Sequence, residues 1–139
     1  MATTTSAGTT LAGKRIVTVE DEGITQLQLS RLLTKAGLLV VGQASNGADG
    51  VEVVLRERPD IVLMDITMPV MNGLEATRRI LEQMTTCIVI LTAYTHDDYR
   101  KQARRNGAHG FLIKPVSSET LIVALERIYE QECSEDEKR

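Results

Sequence analysis

Short apolar runs alternate with stretches of helical spacing five times along the chain. The runs are Arg15–Val19, Leu39–Ala44, Asp60–Met64, Cys87–Thr92 and Gly110–Ile113. The first, third and fourth are dense in Ile, Val and Leu, as a sheet covered on both faces requires. Helical spacing follows each run. Leu29, Leu32, Leu33 and Ala36 fall at i, i+3, i+4 and i+7, and Gly37 supplies a stop. Val51, Val54 and Leu55 line a second helix, with Asn46 placed to cap it. Leu74, Thr77, Leu81 and Met84 line a third. The fourth, about Asp97 to Asn106, is mostly polar. It carries Asp97 and Asp98 at its start and Arg104 and Arg105 near its end, an order that suits the helix macrodipole, and Gly107 ends it. Leu121, Ile122, Leu125, Ile128 and Tyr129 line the fifth behind a Ser117-Ser118 cap.

Five strand-then-helix units predict a parallel sheet with right-handed crossovers. The expected architecture is a single α/β domain, a flavodoxin-like (βα)5 with strand order 2-1-3-4-5 and helices on both faces. In that order the first and third strands are neighbours and the topological switch lies between them. Ligands are expected outside the carboxyl ends of those strands. The domain is placed at residues 14–131. Residues 1–13, rich in Thr, Ala, Ser and Gly, read as a disordered tail, and residues 132–139 as a charged C-terminal tail. The N-terminus lacks the basic start and apolar stretch of a signal peptide. No apolar run approaches the ~20 residues of a membrane span.

Composition narrows the picture modestly. A chain of 139 residues suits one domain and buries roughly 68% of its unfolded surface, enough for a core without staples. A net charge of −3 argues against nucleic acid as the direct partner, since phosphate backbones attract a basic face. Cys87 and Cys133 are far apart and match no metal spacing. Both are expected to be reduced, in a cytoplasmic protein.

The chemistry gathers where strands stop. Asp65 ends the run Asp60-Ile61-Val62-Leu63-Met64, and the Pro and Asn-Gly of Ile66-Thr67-Met68-Pro69-Val70-Met71-Asn72-Gly73 forbid further strand. Glu20-Asp21 follows the first strand, and Lys114-Pro115 follows the fifth. Three carboxylates and one lysine thus meet at one sheet edge. Two unit charges at ~5 Å, with an effective dielectric near 20, repel by about 3 kcal/mol. Such a cluster persists when one group is protonated or a cation binds. An all-oxygen donor set favours a hard ion, Mg2+ first. Thr92 ends the fourth strand with a hydroxyl able to donate to an anion. Phe111, the only Phe, reads equally well as a core aromatic.

Together these residues resemble the receiver domain of two-component response regulators, over about Lys14 to Gln131. Val19-Glu20-Asp21-Glu22 is similar to the family's metal-binding acids. Met64-Asp65 and the loop through Gly73 are similar to its phosphoacceptor segment. Thr92-Ala93 is similar to its switch hydroxyl and small neighbour, and Phe111-Leu112-Ile113-Lys114-Pro115 to its switch aromatic and lysine. The resemblance implies Mg2+ on Asp21, Asp65 and the Thr67 backbone carbonyl, with Glu20 direct or through water. Glu20 stands where aspartate is commoner. Asp65 is implied as the phosphoacceptor, loaded by a histidine kinase or histidine phosphotransfer protein in a phosphorelay. Lys114 and Thr92 assist, Thr92 and Phe111 switch, and Thr67 and Tyr94 tune access of water. Such a phosphoprotein catalyses its own phosphorylation and dephosphorylation rather than turning over a conventional substrate. Its fourth-helix, fifth-strand and fifth-helix face then controls a downstream protein, an output domain or a phosphorylation-dependent homodimer, with no role for a membrane.

Three other readings stand beside this one. A haloacid-dehalogenase-like phosphatase also uses an aspartyl phosphate, but places a second aspartate where this chain has Thr67. A flavodoxin-like interaction module would leave the acid pocket unused. The chain also suits the receiver portion of a longer regulator with an RNA-binding antiterminator-type output, because Thr92 to Asp98 with Tyr94 is similar to receivers of that kind.

Overall fold

A computed structural model describes residues 9–133. Five strands, β1 (Arg15–Val19), β2 (Leu39–Ala44), β3 (Ile61–Met64), β4 (Cys87–Thr92) and β5 (Gly110–Ile113), form one parallel sheet in the order β2-β1-β3-β4-β5. Helices α1 (Gly23–Lys35), α2 (Gly47–Glu57), α3 (Gly73–Leu81), α4 (Asp97–Arg105) and α5 (Ser118–Ile128) connect them. The flavodoxin-like expectation holds, strand order included. β3 begins one residue later than the apolar run suggests. The Asp60 carboxylate instead accepts the Arg15 N–H, while its backbone bonds to Arg15 and to Cys87. Asp60 thereby ties the entry points of three strands.

The sheet divides the core in two. On one face Val17, Val19, Val62, Met64, Ile88 and Ile90 pack against Val54, Leu74 and Ile80 of α2 and α3. On the other, Ile16, Ile61, Leu63, Val89 and Leu91 pack against Leu29 and Leu33 of α1 and Leu121 and Leu125 of α5. Alternate strand residues serve opposite layers, which is why β1, β3 and β4 read as nearly continuous apolar runs. Side-chain caps start α2, α3 and α5. Asn46 accepts from the Asp49 N–H, Asn72 from Leu74 and Glu75, and Ser117 from Thr120. Helix α4 is the loosest, with Ala103 its one buried residue.

Ordered structure continues beyond residues 14–131 at both ends. Thr9–Gly13, assigned to a disordered tail, form a turn, and Leu11 is buried beneath α1 and α5. Thr9 donates from its hydroxyl to Glu126 Oε2 (2.6 Å), and the Thr10 N–H donates to the same oxygen. One apolar side chain among Thr and Gly carries no periodicity, so this anchor is invisible as a pattern. Residues 1–8 and 134–139 lie outside the described residues.

At the other end α5 continues into a π-helical turn, Tyr129–Cys133. This turn brings Cys133 to the start of β4, where it forms a disulfide with Cys87 across a Cα separation of 5.8 Å. The expectation of two reduced thiols is therefore corrected. A helix between parallel strands runs antiparallel to them. The end of α5 thus meets the beginning of β4, and 46 residues of sequence separation hide that closeness.

Candidate functional site

Register decides which side chains meet. Val19 pairs with Met64, Met64 with Ile90, and Thr92 with Ile113. The residues that follow β1, β3 and β5 therefore leave the sheet side by side. The backbone holds them there: the Asp65 N–H donates to the Val19 carbonyl, and the Lys114 N–H to the Thr92 carbonyl.

The ammonium of Lys114 spans the gap. Its Nζ lies 2.6 Å from Glu20 Oε1 and 3.2 Å from Asp65 Oδ2. Each carboxylate uses its second oxygen locally. Glu20 Oε2 accepts the Glu22 N–H, and Asp65 Oδ1 accepts the Ile66 N–H at 2.7 Å. Glu20 is 3% exposed and Asp65 9%. Asp21 is exposed, and one oxygen from each of Glu20, Asp21 and Asp65 falls within 4.8 Å of the other two.

Charge and burial compete here. Burial pushes the Glu20 carboxyl above its ordinary range, and the Asp65 charge adds to this. The hydrogen bonds from Lys114 and Glu22 oppose it. Burial works to lower the Lys114 ammonium, but the Glu20 hydrogen bond and the two carboxylate charges outweigh it, so the net shift is upward. Lys114 is thus a firmly charged cation inside an acid cluster. The donor set is wholly oxygen, two largely buried carboxylates and the exposed one of Asp21, which suits a hard divalent cation such as Mg2+.

The remaining predicted residues surround this core. Thr92 is buried at the end of β4, and its hydroxyl accepts the Tyr94 N–H at 3.4 Å. Phe111 is half-buried on β5, with the Arg100 guanidinium 4.8 Å from its ring centre. Tyr94 is exposed and stacks obliquely on Tyr99 of α4, ring centres 5.4 Å apart. Thr67 is exposed in the loop after β3. The structure brings Glu20, Asp21, Asp65 and Lys114 into one cluster. Thr92 bonds to the Tyr94 backbone, and Tyr94 and Phe111 contact Tyr99 and Arg100 of α4.

Three further residues shape the site. Gln26 on α1 donates to the backbone carbonyls of Glu20 and Ala44 and accepts from the Thr18 hydroxyl, fixing the loop that bears both acids. A polar residue on a helix gives no sign of this in sequence. Gly73 opens α3 directly beneath Asp65, where a Cβ would run into the Asp65 carbonyl oxygen. The Asn-Gly pair marked a turn, but not this close approach. Val70, exposed in the same loop, holds φ at +70°, a left-handed conformation costly for a β-branched residue.

A family profile described as the response regulator receiver domain matches residues 16–126. The chain belongs to that family. The receiver is 36% identical over 113 residues to the transcriptional regulatory protein PdtaR of Mycobacterium tuberculosis, an alignment covering 81% of this chain and 55% of PdtaR. It therefore spans about half the length of that relative. It is also 36% identical over 117 residues to the chemotaxis protein CheY of Thermotoga maritima, covering 84% of the receiver and 98% of CheY. The solved receiver domain of the response regulator NarL from Mycobacterium tuberculosis superposes with a TM-score of 0.81 at 25% identity, covering 86% of this receiver and 98% of that chain. No helix among the described residues is long and apolar enough to cross a membrane.

Proposed function

We propose that this receiver takes a phosphoryl group from a phosphohistidine, on a kinase or phosphotransfer protein, onto Asp65. One Asp65 carboxylate oxygen forms the new O–P bond as the N–P bond of the donor breaks, and the electron pair stays on the donor imidazole. Water later cleaves the acyl phosphate, restoring the carboxylate and releasing inorganic phosphate. The observation that carries this reading is the Lys114 ammonium, which reaches from β5 to Asp65 and Glu20 together. A fixed cation beside the acceptor offsets charge on the transferring oxygens. Glu20, Asp21, Asp65 and the Thr67 backbone carbonyl would hold the Mg2+ ion. Bound there, Mg2+ supplies further positive charge against the phosphoryl oxygens.

Thr92 then turns its hydroxyl from the Tyr94 N–H to a phosphoryl oxygen. Phe111 leaves the Arg100 guanidinium and fills the space beside β4. Helix α4 follows, since it is held by little apolar contact. A differential affinity of about 1.4 kcal/mol shifts such an equilibrium tenfold, enough for the α4–β5–α5 face to select a downstream protein or a second copy. The setting is cytoplasmic, where histidine phosphodonors are made. A second reading, control of transcription through an output segment, is supported by the likeness to PdtaR, whose name describes a transcriptional regulator.

The test is incubation with a small phosphodonor and Mg2+, followed by intact mass. Wild type gains one phosphoryl group, and Asp65→Ala gains none. An Asp65→Ala protein that still gains one refutes the assignment.

A further inference from the structure

The Cys87–Cys133 disulfide takes no part in the chemistry at Asp65. It lies at the other end of the sheet: β4 carries six residues at ~3.3 Å each, which places Cys87 roughly 16 Å from Thr92. A cleft of about 210 Å³ opens onto the bond, lined by both cysteines with Pro59, Thr86, His109 and Tyr129. Cys133 is 8% exposed and Cys87 2%, so Cys133 is the more accessible of the pair. In the cytoplasmic setting proposed above, reductants keep most thiols free, and a disulfide that forms there more often senses redox state than serves architecture.

The bond secures both ends of the described chain. In the turn Tyr129–Cys133 only Tyr129 and Cys133 are buried, while Glu130, Gln131 and Glu132 are exposed. A π-helical turn is a rare conformation. With the bond open, Tyr129 is the one buried side chain left to hold it. The end of α5 in turn holds the segment before β1. Glu126 Oε2 accepts from the Thr9 hydroxyl and the Thr10 N–H, and Glu130 Oε2 accepts the Thr10 hydroxyl at 3.1 Å. The Lys14 ammonium sits 5.0 Å from the centre of the Tyr129 ring, and Leu11 shares a core cluster with Tyr129 and Cys133. We propose that the Cys87–Cys133 bond is a reversible exchange site for a dithiol, and that opening it releases residues 9–14 and 129–133 from the domain.

Exchange proceeds in two steps. One thiolate of the dithiol enters the cleft and attacks the Cys133 sulfur. A mixed disulfide forms as the Cys87–Cys133 bond breaks, and the electron pair stays on the Cys87 sulfur, which takes a proton. The second thiolate of the dithiol then attacks the first. The dithiol closes into its own disulfide, and Cys133 leaves as a thiolate and is protonated. Two electrons and two protons pass to the protein, and an oxidised dithiol of the same class reverses both steps. The Asp65 cluster stays in place, because its backbone is held by β1, β3 and β5 at the far ends of the strands. Helix α5 is one side of the face proposed above for partner selection, so the state of the bond alters that face from its distal end. That consequence rests on the proposed function; the exchange and the release do not.

The test uses the oxidised whole chain and dithiothreitol, well below the melting temperature, with acid quench, maleimide labelling and intact mass. The expected result is two labelled thiols per chain, formed at a rate proportional to dithiol concentration, and their loss when oxidised dithiothreitol is added. A rate that saturates at the rate of global unfolding overturns exchange in the folded protein, and failure to reclose overturns reversibility. With a small monothiol in place of the dithiol, the trapped adduct lies on Cys133; an adduct on Cys87 overturns the assignment of the attacked sulfur. Hydrogen exchange then compares the two redox states. Amides of residues 9–14 and 129–133 exchange at least roughly tenfold faster after reduction, while those of residues 61–66 are unchanged. Equal exchange of residues 9–14 and 129–133 in both states overturns the release. All readouts use wild type, so no variant needs to fold. None involves phosphoryl transfer, so failure here and failure of the Asp65 assignment are separate results.

Discussion

Breaking the Cys87–Cys133 bond removes a crosslink spanning 46 residues of chain. The chain-entropy expression, −2.1 − 1.5R ln n, gives about −13.5 cal/mol/K for that loop, or about 4 kcal/mol at 25 °C. Unfolding entropy near 2.1 cal/mol/K per residue amounts to about 0.29 kcal/mol/K for 139 residues. The melting temperature therefore falls by about 14 °C when the bond is lost. The assay is thermal unfolding followed by far-ultraviolet circular dichroism. Wild type is compared with and without a dithiol, and with Cys133→Ser. The serine variant melts near reduced wild type and ignores the reductant. Phosphorylation of Asp65 survives in all samples below their melting temperatures, because the bond lies at the opposite end of the strands. Equal melting temperatures for oxidised wild type and Cys133→Ser would refute the reasoning, since no loop would then be closed.

Three further outcomes follow from the geometry. Lys114→Met strands the buried Glu20 carboxylate and costs about 3 kcal/mol in metal-free buffer, a loss read by urea unfolding and narrowed by Mg2+. The raised Lys114 pKa contributes stability that is complete below about pH 10.5 and disappears as pH climbs through the higher folded value. This alkaline limb is missing from Lys114→Met, and its persistence there would point to another group. The exposed Arg78 and Arg79 hold the Glu75 carboxyl below its usual 4.5, Arg78 first. Its contribution is present above that value and vanishes as pH falls through the depressed one, so melting of Glu75→Gln varies less with pH on the acid side. Gly73→Ala forces a Cβ against the Asp65 carbonyl, costs about 1–3 kcal/mol by denaturant unfolding, and slows phosphoryl uptake; an unaltered rate would mean that α3 yields without moving Asp65.

The alternation of period along the chain was sufficient for the architecture. Runs such as Ile16-Val17 and Ile88-Val89-Ile90-Leu91 have no polar face, so they must be strands covered on both sides, and their connections must be helices. The strand ends followed from the same pattern, and with them the positions of Glu20, Asp65, Thr92 and Lys114. Caps at Asn46 and Ser117 were readable because they act within one helical turn of themselves.

What needed the tertiary structure acts across long sequence separation without periodicity. Leu11 anchors the segment before β1 by filling one hole between α1 and α5. Gln26 steadies the acid loop from a neighbouring helix by bonding to backbone, which leaves no trace in residue type. The ammonium of Lys114 chose Glu20 as its nearer partner, through the register of β1 against β3 and of β4 against β5. Cys87 and Cys133 met because α5 runs back along the sheet and ends where β4 begins. Local sequence encodes which elements form and where polar groups emerge from them. Which groups touch depends on how helices lie across strands, a property of packing that no window of sequence contains.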